Sequence, residues 1–154
     1  MLAFKQILCP IDFSQPSFRA LTDALELIKR FGGKLTVLHV VPPVPLVELP
    51  PGTGTVAFDV KKYESELITT YDQTLRDTVK ERIGSDVPVE YHVALGDAAA
   101  QIVSYAEAKK MDCIVIATHG RTGWRRFVHG SVTEAVIRKA HCAVLTIPCH
   151  DSPE

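Results

Sequence analysis

The sequence predicts an α/β protein with a single doubly wound, five-stranded parallel sheet and four flanking helices. Short apolar runs alternate with helical patterns along the whole chain, which is typical of βαβ units. The chain has 154 residues, of which 46% are hydrophobic, so we expect one domain with one packed core over residues 1–154. Because crossovers between parallel strands are right-handed, the strand order 3-2-1-4-5 is the natural arrangement.

The first part of the chain is predicted to hold two strands with a helix between them. The first strand is predicted over residues 6–11 and the second over residues 35–41. Gly32 and Gly33 end the intervening helix. Five prolines follow the second strand, so residues 42–58 are predicted to be a long surface loop. The apolar face of the first helix is formed by Phe18, Leu21, Leu25 and Ile28.

The remaining elements are predicted from the same alternation. A long helix is expected over residues 59–83, with its apolar positions at four-residue steps, and a strand over residues 87–94. Asp97 is the predicted N-cap of the next helix. The predicted apolar positions of these two helices are Leu67, Tyr71, Leu75 and Val79, and Ile102, Val103 and Ala106. The chain then continues with a strand over 113–117, a helix that starts near Ser131 with a capping box to Glu134, a last strand over 142–147, and a tail over 149–154.

Composition narrows the classes of partner. A formal net charge of −1 argues against binding to nucleic acid or to an anionic membrane through the overall field, so a small-molecule partner is favoured. No N-terminal segment resembles a signal peptide, and no apolar segment approaches the ~20 residues that cross a bilayer, so we expect a soluble, cytoplasmic protein.

The cysteines and histidines are expected to be structural. The cysteines have no C-x-x-C spacing, and Cys9, Cys113 and Cys142 fall in apolar runs that predict core positions. The tail group that begins at Cys149 could hold a metal, but a solvated tail is favoured. His39 is interpreted as a strand residue that packs or forms hydrogen bonds locally, and not as a catalytic base.

The segment from Ala117 to Ala140 has the features of a phosphate site. An apolar strand leads into a Gly- and Arg-rich loop, which leads into an amphipathic helix. Glycines allow backbone N–H groups to approach an anion, and the start of a helix adds its free N–H groups and its positive dipole end. In the order 3-2-1-4-5 this loop and the loop over residues 12–14 leave neighbouring strands at the topological switch point, where such folds bind ligands.

Two other nucleotide motifs are excluded. The Gly-Lys-Ser/Thr sequence of a P-loop is absent. Residues 52–57 match G-x-G-x-x-A, but two prolines precede them where a dinucleotide fingerprint requires a strand.

The segment from Ala117 to Ser131 resembles the nucleotide motif of the universal stress protein family, G-x2-G-x9-G-(S/T). Here the motif consists of Ala117, Gly120, nine residues, Gly130 and Ser131, so alanine occupies the first glycine position. Residues 5–14 resemble the family's first strand, residues 38–40 its second strand and residues 130–134 the start of its last helix.

This resemblance implies an ATP-binding protein, with Mg²⁺ as the accompanying metal, that acts as a nucleotide-responsive regulator of stress survival. Asp12 and Val40 would contact adenine and ribose, with Pro10 nearby. Residues 117–123 would wrap the phosphates, and the start of the last helix would close on them. The phosphate-side positions are Ala117, His119, Gly120, Arg121, Thr122, Gly123, Gly130, Ser131, Val132 and Thr133.

Two alternatives stay open, and one assembly is expected. The alternatives are an interaction module of the same fold that has lost nucleotide binding, for which Ala117 is the only hint, and an adenylyl-transfer enzyme. No carboxylate or glutamine lies in the Gly-rich loop to activate water, so ATP hydrolysis should be slow at most.

Residues 142–147 would form an edge strand without lysine, glutamate or internal proline. This bare edge predicts a homodimer, which the resemblance also implies; any other protein partner is unknown.

Overall fold

A computed structural model describes residues 4–43, 59–84, 87–118 and 131–148 of the chain. These ranges contain five strands and four helices in alternation. The strands are β1 (Gln6–Pro10), β2 (Lys34–Val41), β3 (Val89–Leu95), β4 (Cys113–Ala117) and β5 (Ala143–Ile147). The helices are α1 (Gln15–Phe31), α2 (Val60–Ile83), α3 (Ala98–Ala108) and α4 (Ser131–Lys139).

The sheet has the predicted order and direction. Its strands are all parallel and lie in the order β3-β2-β1-β4-β5, which confirms the doubly wound prediction. One apolar cluster lies on the face covered by α1 and α2, and a second lies on the face covered by α3 and α4. The predicted helix positions that are buried include Phe18, Leu21, Leu25, Ile28, Leu75, Val79, Ile102 and Ala106.

The strand register opens a crevice at the carboxyl edge of the sheet. β1 pairs with β2 from Gln6 opposite Lys34 to Pro10 opposite Leu38, so β2 extends three residues beyond the end of β1. On its other side β1 is paired with β4 only at Ile7 and Leu8. The hydrogen-bonded pairing of the two central strands therefore ends before their carboxyl ends, at the position where doubly wound sheets bind ligands.

Five predicted strand boundaries, in four of the strands, were wrong by one or two residues. β2 begins at Lys34 and not at residue 35. β1 ends at Pro10 and not at residue 11, and proline has no N–H group with which to continue a ladder. β5 begins at Ala143, because the chain is still bent at Cys142 after leaving α4. β3 covers Val89–Leu95 and not residues 87–94.

The predicted N-cap of α3 and the predicted end of β2 before the prolines are confirmed. Asp97 caps α3 by accepting the N–H of Ala100 at 2.9 Å, and Asp59 caps α2 in the same way. Pro42 and Pro43 are exposed and follow the end of β2. The rest of the predicted surface loop and the tail over residues 149–154 lie outside the described residues. Over the ranges described, no helix is both long and apolar enough to cross a bilayer.

The described cysteines have structural environments. Cys9 and Cys113 are buried in the first apolar cluster, as predicted, whereas Cys142 is only half-buried and precedes its strand. Burial raises the pKa of the Cys113 thiol to about 11 and raises the pKa of Cys9 further. Both thiols therefore stay protonated near neutral pH, which makes them poor nucleophiles.

The turn between α1 and β2 supplies a stability test. A Cβ atom on Gly33, whose φ is +120°, would lie 2.5 Å from the carbonyl oxygen of Lys5. Gly32 also has a positive φ of +73°, but its surroundings are open. We expect Gly32→Ala to lower the free energy of unfolding by about 1–3 kcal/mol through backbone strain, and Gly33→Ala to lower it by roughly 3–5 kcal/mol because β1 must also move. Urea denaturation measures both, and equal losses would contradict the close approach at Gly33.

Candidate functional site

The loop between β1 and α1 is held by a local hydrogen-bond network. The Oδ1 atom of Asp12 accepts a hydrogen bond from the N–H of Ser14 at 3.0 Å and another from the Ser14 hydroxyl. Ser14 in turn caps α1, since its Oγ accepts the N–H of Ser17 at 3.3 Å. Asp12 therefore braces the residue that caps the helix, which is the structural role expected for a carboxylate at this turn.

Phe13, in the middle of this loop, has an uncommon backbone conformation. Its φ is +63°, a region that residues with a side chain seldom adopt. Such a conformation costs about 1–3 kcal/mol and persists only where the surroundings hold it. The strain lies directly beside Asp12, at the mouth of the crevice.

The ring of His39 lies against this loop from β2. Its Nδ1 atom is 2.9 Å from the carbonyl oxygen of Ile11, and its ring centroid is 4.5 Å from that of Phe13 and 5.1 Å from that of Tyr71 on α2. Only 7% of His39 is exposed. The interpretation of His39 as a locally packed strand residue is confirmed.

The backbone of Val40 faces the crevice. The N–H of Ile11 donates to the carbonyl of Leu38 at 2.8 Å, and the N–H of Gly96 donates to the carbonyl of Val41 at 2.9 Å. Along a strand, the N–H and C=O groups of successive residues point alternately to the strands on either side. Those of Val40 therefore point toward β1, as those of Leu38 do. Because the paired part of β1 ends opposite Leu38, the Val40 groups are directed into the space beyond it.

The end of β4 is joined to the first turn of α4. The Thr133 hydroxyl donates a hydrogen bond of 2.7 Å to the carbonyl of Ala117, and Thr133 is buried. The N–H of the next residue, Thr118, donates to the carbonyl of Ile147 at 3.0 Å. The first bond fixes the start of α4 to the carboxyl end of β4, and the second extends the pairing of β4 with β5 by one residue.

Seven of the predicted site residues are described. Pro10, Asp12, Val40 and Ala117 lie at or near the carboxyl ends of three adjacent strands. The first turn of α4 contains Ser131, Val132 and Thr133, of which the first two are exposed. The predicted positions His119, Gly120, Arg121, Thr122, Gly123 and Gly130 lie outside the described residues.

The capping box predicted at residues 131–134 is not what the structure shows. α4 begins at Ser131, so Ser131 is the first helical residue and not the residue before the helix. The Glu134 carboxylate pairs with Arg138 one turn later.

Sequence reasoning missed the role of Phe13 and Tyr71 around His39. Nothing in the sequence around Phe13 indicates that its φ is positive. Tyr71 was predicted as an apolar position of α2, but its contact with β2 depends on how the helix crosses the sheet.

The fold is that of the Rossmann-like α/β proteins. Its parallel sheet has their strand order, with the switch point between β1 and β4 and the start of α4 fixed beside it. The model of the universal stress protein family matches residues 3–148. The chain belongs to this family.

Individual relatives agree with this assignment. The chain is 36% identical to universal stress protein MJ0531 of Methanocaldococcus jannaschii over 146 residues, covering 94% of this chain and 82% of the relative. The solved structure of protein MJ0577 is similar, with a TM-score of 0.75, 26% identity, and coverage of 97% and 99% of the two chains. A universal stress protein solved in complex with cAMP shares the fold, with a TM-score of 0.64, 23% identity, and coverage of 97% and 99%.

The bond between α4 and β4 gives a second prediction. Thr133→Val keeps the shape of the side chain but removes the donor to the buried Ala117 carbonyl, so we expect a loss of about 1–2 kcal/mol in unfolding free energy. Thr133→Ser, which keeps the hydroxyl, serves as the control and should lose less. Urea denaturation decides between them, and a valine variant as stable as the wild type would show that the bond contributes nothing.

Proposed function

We propose that this protein is a cytoplasmic, ATP-binding universal stress protein that responds to nucleotide and regulates stress survival through a protein partner. The observation that carries the proposal is the carboxyl edge of the sheet, where the pairing of β1 with β4 ends and the first turn of α4 is hydrogen-bonded to the last residue of β4. This arrangement offers one end suited to a nucleoside and another suited to phosphates.

The nucleoside end is formed by the loop after β1 and by β2. The carboxylate of Asp12 is half-buried at the crevice and is a suitable acceptor for ribose hydroxyls. The backbone N–H and C=O of Val40 offer a donor and an acceptor to the edge of a base. The relative bound to cAMP supports adenine as that base, because cAMP contains adenine and ribose.

The phosphate end is formed by the start of α4 together with the Gly- and Arg-rich loop that precedes it in the sequence. The first N–H groups of a helix and its dipole attract anions without a charged side chain. Ser131 adds an exposed hydroxyl at this position. In the proposal, residues 117–123 and Gly130–Thr133 surround the phosphates.

Alanine in the first glycine position does not argue against this site. Ala117 is buried and belongs to the apolar cluster on the α1 face of the sheet, with Ile11 and Phe18. A methyl group directed into the core leaves the backbone of the crevice accessible. The one sequence hint for loss of nucleotide binding is thereby weakened.

In the proposal, Mg²⁺ accompanies the nucleotide and is held mainly by its phosphates. Among the residues that the structure describes, no three His, Cys, Asp or Glu side chains are grouped to hold a metal ion. Mg²⁺ is commonly held by substrate phosphates and waters with few protein ligands. When bound it would neutralise phosphate charge, and the Ser131 hydroxyl is a suitable oxygen for it or for a phosphate.

A homodimer through β5 completes the proposal. β5 is the outer strand of the described sheet beyond β4 and has no charged side chain. Leu145 on this strand is 41% exposed, and Ile137 on the neighbouring α4 is 43% exposed. An uncovered apolar edge favours pairing with a second copy about a two-fold axis.

ATP should bind more tightly than GTP or NAD, as measured by titration calorimetry. Gly130→Val should abolish binding, because a branched side chain would obstruct backbone approach to the phosphates. Ile137→Ala, at an exposed position of α4, is the control and should bind as the wild type does. Absence of heat at millimolar ATP would refute the proposed function, and normal binding by the valine variant would move the phosphate site elsewhere.

Hydrolysis should be far slower than in ordinary enzymes, because the Gly-rich loop has no carboxylate or glutamine to activate or orient water. Phosphate release from purified protein with ATP and Mg²⁺ tests this. A turnover of about 1 per second or faster would contradict it and would require an activating residue outside the loop.

Leu145→Lys should shift the protein from dimer toward monomer in analytical ultracentrifugation, since the substitution places like charges near the two-fold axis. Ile68→Lys makes the same change at an exposed position of α2 and should leave the dimer intact. A monomeric wild type at micromolar concentration would overturn the proposed assembly.

A further inference from the structure

We propose that His39 is a positioning residue of the nucleotide site, which holds Asp12 in place through the residues on both sides of it. The inference rests on the proposed function, since it concerns the same crevice. His39 itself would not touch the nucleotide.

The first contact is with the residue before Asp12. The Nδ1 atom of His39 lies 2.9 Å from the Ile11 carbonyl oxygen, which can only accept, so Nδ1 carries the proton and donates it. The N–H of Ile11 donates to the backbone carbonyl oxygen of Leu38 at 2.8 Å. Both backbone groups of Ile11 are therefore held by β2, one by its backbone and the other by the His39 side chain.

The second contact is with the residue after Asp12. The ring of Phe13 packs on the His39 ring at 4.5 Å, a distance within the range of favourable aromatic pairs. Phe13 needs such support because its φ of +63° is strained. On the same imidazole, Tyr71 packs at 5.1 Å and so ties the loop to α2.

These contacts also bear on Val40. In a continuing parallel ladder the Ile11 carbonyl would accept the Val40 N–H. Here the His39 side chain, which belongs to the α1 and α2 face, supplies a donor to that carbonyl. One imidazole thus supports the Asp12 carboxylate and helps to keep the Val40 backbone directed into the crevice.

The test separates the donor from the ring. His39→Phe keeps an aromatic ring but removes the donor, whereas His39→Asn keeps a donor near the position of Nδ1 but removes the ring. We expect His39→Phe to weaken ATP binding about tenfold, the equivalent of one lost hydrogen bond, and His39→Asn to weaken it by no more than about threefold. Calorimetry well below the melting temperature gives both values.

Amide hydrogen exchange on the nucleotide-free protein provides an independent readout. The Asp12 amide donates to the Ser17 hydroxyl in the first turn of α1, and the Ser14 amide donates to the Asp12 carboxylate. Both should exchange about tenfold faster in His39→Phe than in the wild type. Thr36→Val is the matched control, because Thr36 is buried on the same strand and bonds Tyr105 on the opposite face. It should lower stability without changing exchange at the loop or the affinity for ATP.

Each outcome decides the proposal. Unchanged affinity and unchanged loop exchange in His39→Phe overturn it, as do equal effects in Thr36→Val. If the wild type binds no ATP, the proposed function fails, but faster exchange at Asp12 and Ser14 still supports the role of His39 in holding the loop. If His39→Phe does not fold, Tyr71→Leu removes one ring of the stack and should accelerate loop exchange by about threefold; normal exchange in that variant also overturns the proposal.

Discussion

The architecture of the carboxyl edge depends on the early end of β1. Pro10 has no N–H group to donate, and the chain leaves the sheet immediately after Ile11. β2 continues for three more residues beyond the end of β1, and the pairing of β1 with β4 has already ended at Leu8. A β1 strand longer by two residues would fill the space beside those residues with backbone hydrogen bonds.

The two sides of the crevice are held by different interactions. On the β1 side, Asp12, Ser14 and the His39 ring fix a loop that contains a strained residue. On the β4 side, the hydroxyl of Thr133 fixes the start of α4 to the strand end. Both sets of contacts are made between groups of the protein itself.

Much of the fold could be predicted because its signals are local and periodic. Helix faces such as Leu21 with Leu25, and caps such as Asp97, follow directly from spacing and side-chain chemistry. Strand ends were less accurate, since Cys142 is apolar but lies in the bend before β5. At the site, the placement of Asp12 and Thr133 followed from topology. The stack of Phe13, His39 and Tyr71 did not, because it joins three distant segments and depends on one backbone angle.

The central claim is that adenine nucleotide binds at the carboxyl edge, between β1 and the start of α4. Mapping backbone amide shifts by NMR during a titration with ATP and Mg²⁺ tests it most directly. The account predicts the largest shifts at Asp12, Val40, Thr118 and residues 131–133, with little change at Lys5, Lys34 and Asp112 on the amino edge of the sheet. Saturable shifts centred on the amino edge, or no shifts at millimolar ATP, would contradict it.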